Sequence, residues 1–178
     1  MPDGEIIKDN KKTLIRQLSL YGIAAVFLLS LIFFYAHFFI SLSKHPTLND
    51  IPSVYRHINV EVGEHSYQAD VADTPVLREL GLSFRKGLGP EEGMLFVFEK
   101  SGVYPFWMKD MSFPIDILWL DEEGVINFIV REATPASYPH VFAPNASGRF
   151  VLEVPAGRVE KENVQIGDKI IFDRPALK

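Results

Sequence analysis

Residues 115–132 read IDILWLDEEGVINFIVRE. Two apolar runs, 115–121 and 125–132, are rich in β-branched and aromatic residues. They flank Asp121-Glu122-Glu123-Gly124, a polar connection that ends in glycine, and the whole reads as a β-hairpin. The same grammar repeats outward in both directions. Residues 55–62 and 66–71 predict two strands around a Gly63-Glu64 turn. Short runs at 94–98, 106–108, 149–154 and 169–173 predict further strands, each bounded by Gly or Pro. A helix is expected over 74–82, with Asp73 as N-cap, Pro75 at the first helical position, Val76, Leu77 and Leu80 at helical spacing, and Gly81 as the stop. Residues 135–147, with three prolines, predict a long irregular loop. Many short strands with frequent turns predict a mainly β (α+β) domain, a compact barrel-like antiparallel sheet with one short helix packed on it.

Farther towards the N-terminus the character changes. Residues 20–42, LYGIAAVFLLSLIFFYAHFFISL, contain no Asp, Glu, Lys or Arg. As a helix this run reaches roughly 34 Å, enough for a hydrocarbon core of about 30 Å. It is longer than the core of a secretory signal, which favours a retained single-pass anchor, although the small residues Ser41 and Ser43 also allow cleavage after Ser43. Lys8, Lys11, Lys12 and Arg16 precede the run and only Lys44 follows closely, so the N-terminus is expected in the cytoplasm and the C-terminal domain outside it, on an inner membrane. The expected organisation is a cytoplasmic segment 1–19, a transmembrane helix 20–42, a tether 43–56, a β-rich domain 57–173 and a tail 174–178.

Composition narrows the partners. The 178 residues carry a formal net charge of −5. Residues 1–44 hold five basic and three acidic side chains, leaving 13 basic against 20 acidic in the remainder, a balance of −7. An acidic domain offers no footprint for a phosphate backbone, so no nucleic-acid partner is expected. The absence of Cys removes disulfides, thiol nucleophiles and cysteine zinc sites. His45, His57, His65 and His140 lack metal-ligand spacing, so no metal is expected, and no phosphate-binding glycine loop points to a cofactor. Ser83-Phe84-Arg85-Lys86 has the Ser-x-x-Lys spacing of some acyl-enzymes but not their companion motifs. Asn145-Ala146-Ser147 is a formal glycosylation sequon.

The densest chemistry lies in residues 104–121, YPFWMKDMSFPIDILWLD. Trp107, Met108, Phe113 and Trp119 stand among Lys109, Asp110, Asp116 and Asp121. Aromatic faces beside a few charges suit a ligand wall, and they equally suit a strand pair burying its aromatics.

Several blocks occur in order: Glu79-Leu80-Gly81-Leu82-Ser83-Phe84-Arg85, Gly93-Met94-Leu95-Phe96-Val97-Phe98, Phe106-Trp107-Met108-Lys109-Asp110, Pro114-Ile115-Asp116-Ile117, Leu152-Glu153-Val154-Pro155-Ala156-Gly157 and Gly167-Asp168. Together they resemble the DUF192 family, also called UPF0127, over roughly residues 57–173. The resemblance implies a compact, mostly β domain, commonly behind an N-terminal membrane or export segment, and no established activity. By matching position it selects Arg85, Trp107, Lys109, Asp116 and Glu153 as candidate binding residues. Asp110, a further candidate binding residue, stands where the family usually has Asn, and Ser83 where it usually has Met.

The expectation from these readings is a binding or accessory module of the cell envelope, working through the surface around Trp107 and Lys109 on an unknown small ligand or envelope protein. Two alternatives remain open: an envelope hydrolase using two of Asp110, Asp116 and Glu153 as acid and base, and a structural subunit of an envelope assembly. A buried charged network of Arg85, Asp116 and Glu153 is also expected.

Overall fold

Alternation in the first two strands starts the sheet. In a computed structural model that describes residues 22, 25, 28–37 and 55–173, β1 (His57–Val62) pairs antiparallel with β2 (His65–Ala72) across a tight turn at Gly63. The chain divides into two units, Met1–His45 and Pro46–Lys178. In the first, residues 28–37 form a helix, α1, with Leu28, Leu29, Phe33 and Phe34 exposed. Among the described residues no helix is long and apolar enough to cross a membrane. The rest of the expected 20–42 span, apart from Gly22 and Ala25, lies outside the described residues, as do 1–19, 43–54 and 174–178.

In the second unit β2 leads into α2 (Pro75–Leu80) and then β3 (Glu92–Gly102), which lies parallel to β2. Thr74, not Asp73, caps α2: its Oγ1 accepts the Leu77 N–H at 3.2 Å. Asp73 instead accepts Arg56 Nη2 at 2.7 Å, while its backbone carbonyl takes Arg78 Nη1. β4 (Phe106–Trp107) and β7 (Val141–Phe142) form a separate two-stranded ribbon. β5 (Ile115–Leu120) and β6 (Ile126–Ala133) are the hairpin read first from the sequence. A single 3-10 turn, Pro135–Ser137, interrupts the proline-rich loop. β8 (Gly148–Pro155) inserts between β3 and β5, α3 (Arg158–Lys161) follows it, and β9 (Ile171–Phe172) adds to the outer side of β1.

The main sheet therefore runs β6-β5-β8-β3-β2-β1-β9. It curls into a half-barrel whose two ends meet through a bridge between Val125 and Lys169. Gly124 permits that approach: its φ is +84°, and a Cβ there would stand 2.8 Å from the Ile170 carbonyl oxygen. Two expectations are corrected. The sheet is mixed, because the α2 crossover returns the chain parallel to β2, and the domain holds two short helices rather than one.

All six residues of β5 are buried, as are Gly93–Val97 of β3 and most of β8, because both faces of the sheet are covered there. On one face Val60, Tyr67, Leu95, Leu118, Leu152 and Ile170 belong to one core. On the other, Met94, Phe96, Met108, Ile117, Trp119 and Val151 form a second core. Trp119 is fully buried and donates its indole N–H to the Tyr104 carbonyl at 2.8 Å, which satisfies the one polar atom it carries.

Candidate functional site

A row of paired residues crosses the sheet on the face of the second core. His57 on β1 faces Asp70 on β2, Asp70 faces Met94 on β3, Met94 faces Glu153 on β8, and Glu153 faces Ile117 on β5. Period-2 alternation places their side chains on one side, so the row brings a histidine and two carboxylates to this face.

Two of the three are satisfied there. Asp70 Oδ1 lies 2.6 Å from His57 Nδ1, and its Oδ2 accepts Arg85 Nη2 at 2.7 Å. Arg85 reaches in from the segment after α2 and packs over the Tyr55 ring at 4.8 Å. Burial works against the Arg85 charge, but hydrogen bonding to Asp70 and Tyr55 outweighs it and raises the guanidinium pKa. Glu153 differs. Its side chain is buried, at 5% exposure, and its Oε2 has no hydrogen-bond partner. Burial pushes its pKa up to about 8, opposed only in part by the charge of Arg85, so the carboxyl is a neutral acid near pH 7.

Glu153 forms part of the wall of a cleft of about 250 Å³. Leu80, Leu82, Phe96, Phe98, Phe106 and Met111 supply apolar walls, and Arg78, Glu79, Tyr104, Trp107 and Lys109 add polar or aromatic groups. Two loops hold these groups in place. The N–H of Phe84 donates to the Asp110 carbonyl at 3.0 Å, Ser83 Oγ to the Lys109 carbonyl at 3.1 Å, and Ser112 Oγ to the Arg85 carbonyl at 2.8 Å. Met108, fully buried between Trp107 and Lys109, pins the second loop to the core and turns both neighbours outward. Trp107 is 50% exposed, with Lys109 Nζ 5.9 Å from its ring centre and Tyr138 at its edge.

The structure thus brings Trp107, Lys109 and Glu153 to one cleft, with Arg85 beside Glu153 through space. It separates the other candidates. Asp116 points to the opposite face and is fully buried. Its Oδ1 accepts the Glu132 N–H at 2.7 Å and its Oδ2 the Val159 N–H at 2.9 Å. The first bond holds a bulge in β6, where Glu132 adopts φ +50° and Arg131 and Glu132 together oppose the single residue Asp116 on β5; the second holds the start of α3. The expected Arg85–Asp116–Glu153 network is therefore not formed: Asp70, which sequence reasoning missed, takes the place of Asp116. Asp110 is exposed and does not line the cleft. Its φ of +56° explains the family's choice of Asn there, since Asn and Asp both tolerate the left-handed region. The expected pairing of Asp110 or Asp116 with Glu153 as acid and base is not assembled. Among the described residues no group of His, Asp and Glu is arranged to hold a metal ion.

Comparison with known proteins agrees with this geometry. The DUF192 family model, described as "Uncharacterized ACR", matches residues 58–172. The UPF0127 protein PH1112 of Pyrococcus horikoshii is 30% identical over 105 residues, which is 56% of this chain and 83% of that protein. A presumed transcription regulator of Sinorhizobium meliloti 1021 has a similar structure, with TM-score 0.65 and 29% identity, over 68% of this chain and 98% of its own. A protein of unknown function from Novosphingobium aromaticivorans DSM 12444 gives TM-score 0.62 and 25% identity, over 72% of this chain and 94% of its own.

Proposed function

Since this chain belongs to the DUF192 family, whose description assigns no activity, we propose from its own geometry that the domain is a small-ligand-binding module using the cleft above Glu153. The observation that carries the reading is the orphan Glu153 Oε2 in a cleft with largely apolar and aromatic walls. A buried polar atom without a partner costs about 1–3 kcal/mol, so a site that retains one must recover that cost when occupied. Half-exposed Trp107 and half-buried Lys109 at the same cleft supply contact area and charge.

The same proposal makes residues 20–42 a membrane tether, with the binding domain outside the cytoplasm. The run lacks Asp, Glu, Lys and Arg, and the apolar side chains described along α1 are exposed, as suits a helix made for lipid. Protease added to spheroplasts should remove the C-terminal domain while leaving the N-terminal segment protected; full protection of both would overturn the orientation.

Native mass spectrometry of the full chain, released from detergent after purification from its host, tests the cleft. A reproducible bound mass is expected in the parent chain and should be absent from folded Trp107→Ala and Glu153→Leu variants. A bound mass that survives both substitutions would move the site elsewhere.

A further inference from the structure

Resting on that reading of the cleft, we propose that its ligand is a small amphipathic monocarboxylate, whose carboxylate accepts a hydrogen bond from the Glu153 carboxyl and is balanced by Lys109. Its apolar body lies on the aromatic walls.

The charged and titratable groups around the cleft decide the sign of the ligand. Arg85 acts on Glu153 through its charge, Asp70 lies on the same face of the sheet, and Arg78, Glu79, Tyr104 and Lys109 line the cleft with it. Asp70 is engaged by both His57 and Arg85. Arg78 donates Nη1 to the Asp73 and Val97 carbonyls, each at 2.8 Å. Lys109 makes no ion pair among the described residues, and its Nζ lies 5.9 Å from the Trp107 ring centre. The lining of the cleft therefore includes, among the described residues, a cation without an ion-pair partner and a carboxyl oxygen without a hydrogen-bond partner.

An ionised Glu153 in an aromatic pocket would suggest a cationic ligand instead, and the structure argues against it. The aromatic faces that would receive a cation already carry one: Arg78 lies 5.3 Å from the Phe98 ring and Lys109 lies over Trp107. Phe98 also stacks with Tyr104 at 3.5 Å. Arg78 and Lys109 line the pocket with Glu79, and the charge of Arg85 acts on Glu153, so cationic groups outnumber the remaining acidic one and favour an added anion over an added cation. A neutral carboxyl is a hydrogen-bond donor, and donation to a carboxylate is among the stronger hydrogen bonds available. Burial, which holds Glu153 as the acid up to about pH 8, supports the same assignment.

Size sets the rest. A cleft of about 250 Å³ suits a small ligand rather than a chain segment. A phenyl ring or short alkyl chain bearing one carboxylate meets these limits.

Isothermal titration of the full chain in detergent with 3-phenylpropionate, its primary amide and 3-phenylpropylamine separates the outcomes. The carboxylate should bind at least tenfold more tightly than the amide or the amine near neutral pH. Its affinity should fall roughly tenfold or more between about pH 6.5 and about pH 9.5, as the acid form is lost. Glu153→Gln, which keeps a neutral donor, should abolish that pH dependence while retaining affinity. Lys109→Met should erase the preference of carboxylate over amide. Tighter binding of the amine, or carboxylate affinity that does not change with pH in the parent chain, would overturn the assignment while leaving the cleft a ligand site. Failure of all three compounds to bind the folded chain at millimolar concentration would sink both the ligand class and the reading of the cleft.

Discussion

Asp116 and Glu153 sit on adjacent strands, one residue out of register, and point to opposite faces of the same sheet. Both are carboxylates and both are buried, yet their circumstances are opposite. Asp116 accepts two backbone N–H groups that would otherwise be unpaired, one in a bulge and one at a helix start. Glu153 has an orphan oxygen and a cleft. Burial alone therefore says little about the role of an acidic residue; the state of its lone pairs says more. On one face the charge completes the scaffold, and on the other the scaffold leaves the group unfinished.

The sharpest way to break this contrast is to make the same chemical edit at both positions. Asp116→Asn replaces one acceptor oxygen with an NH2 group facing a backbone donor, and should cost about 2–5 kcal/mol of stability by urea denaturation. Glu153→Gln removes an unpaired buried acid and should carry the opposite sign at alkaline pH, a gain of about 3 kcal/mol near pH 9. If both edits destabilise alike at pH 9, the two carboxylates are equivalent and the contrast fails.

The pH dependence sharpens it further. Glu153 titrates at about 8 in the native state against 4.5 when unperturbed. Between those values the native state keeps a proton that the unfolded chain has released. Its contribution therefore favours folding most below about pH 4.5, weakens as pH rises to about 8 and then levels off. Stability curves of the parent and Glu153→Gln chains should converge near pH 5 and separate steadily towards pH 8. Parallel curves would show that Glu153 ionises normally. The smallest expected effect is at the cleft mouth: Trp107→Ala and Lys109→Met should each change stability by no more than about 0.5 kcal/mol, since both side chains are partly exposed and neither completes the core. A larger loss at either position would make it a scaffold residue like Asp116.

Much of this was legible in the sequence. The strands were readable because β5, most of β8 and the first half of β3 are covered on both faces and so contain almost unbroken apolar runs. The hairpin at 115–132 was fixed by its own turn. The parallel pairing of β2 with β3 was not readable, because nothing local specifies which strand a crossover returns beside. Nor was α3, four residues long and preceded by a left-handed Gly157 rather than a polar N-cap. Trp107, Lys109 and Glu153 were found as matched positions of the family, and the structure supplies the reason they belong together. Asp70 escaped notice because it alternates with Ser66 and Gln68, which is the pattern of a solvated strand face. Only tertiary packing reveals that Arg85 covers its end of that face. Asp116 was carried to the ligand site by its matched position in the family, which does not tell which side of the sheet the side chain faces.

The bridge at Val125–Lys169 closes only one end of the last strand, and the remainder of β6 is the rim of the sheet. An open rim is a template on which another chain can add a strand, the usual first step of edge-to-edge aggregation. Here the rim ends in the exposed charges of Arg131 and Glu132, on a bulge that Asp116 holds out of line. The buried carboxylate thus helps to keep copies of the domain apart, and a chain that loses it stands to become not only less stable but less soluble.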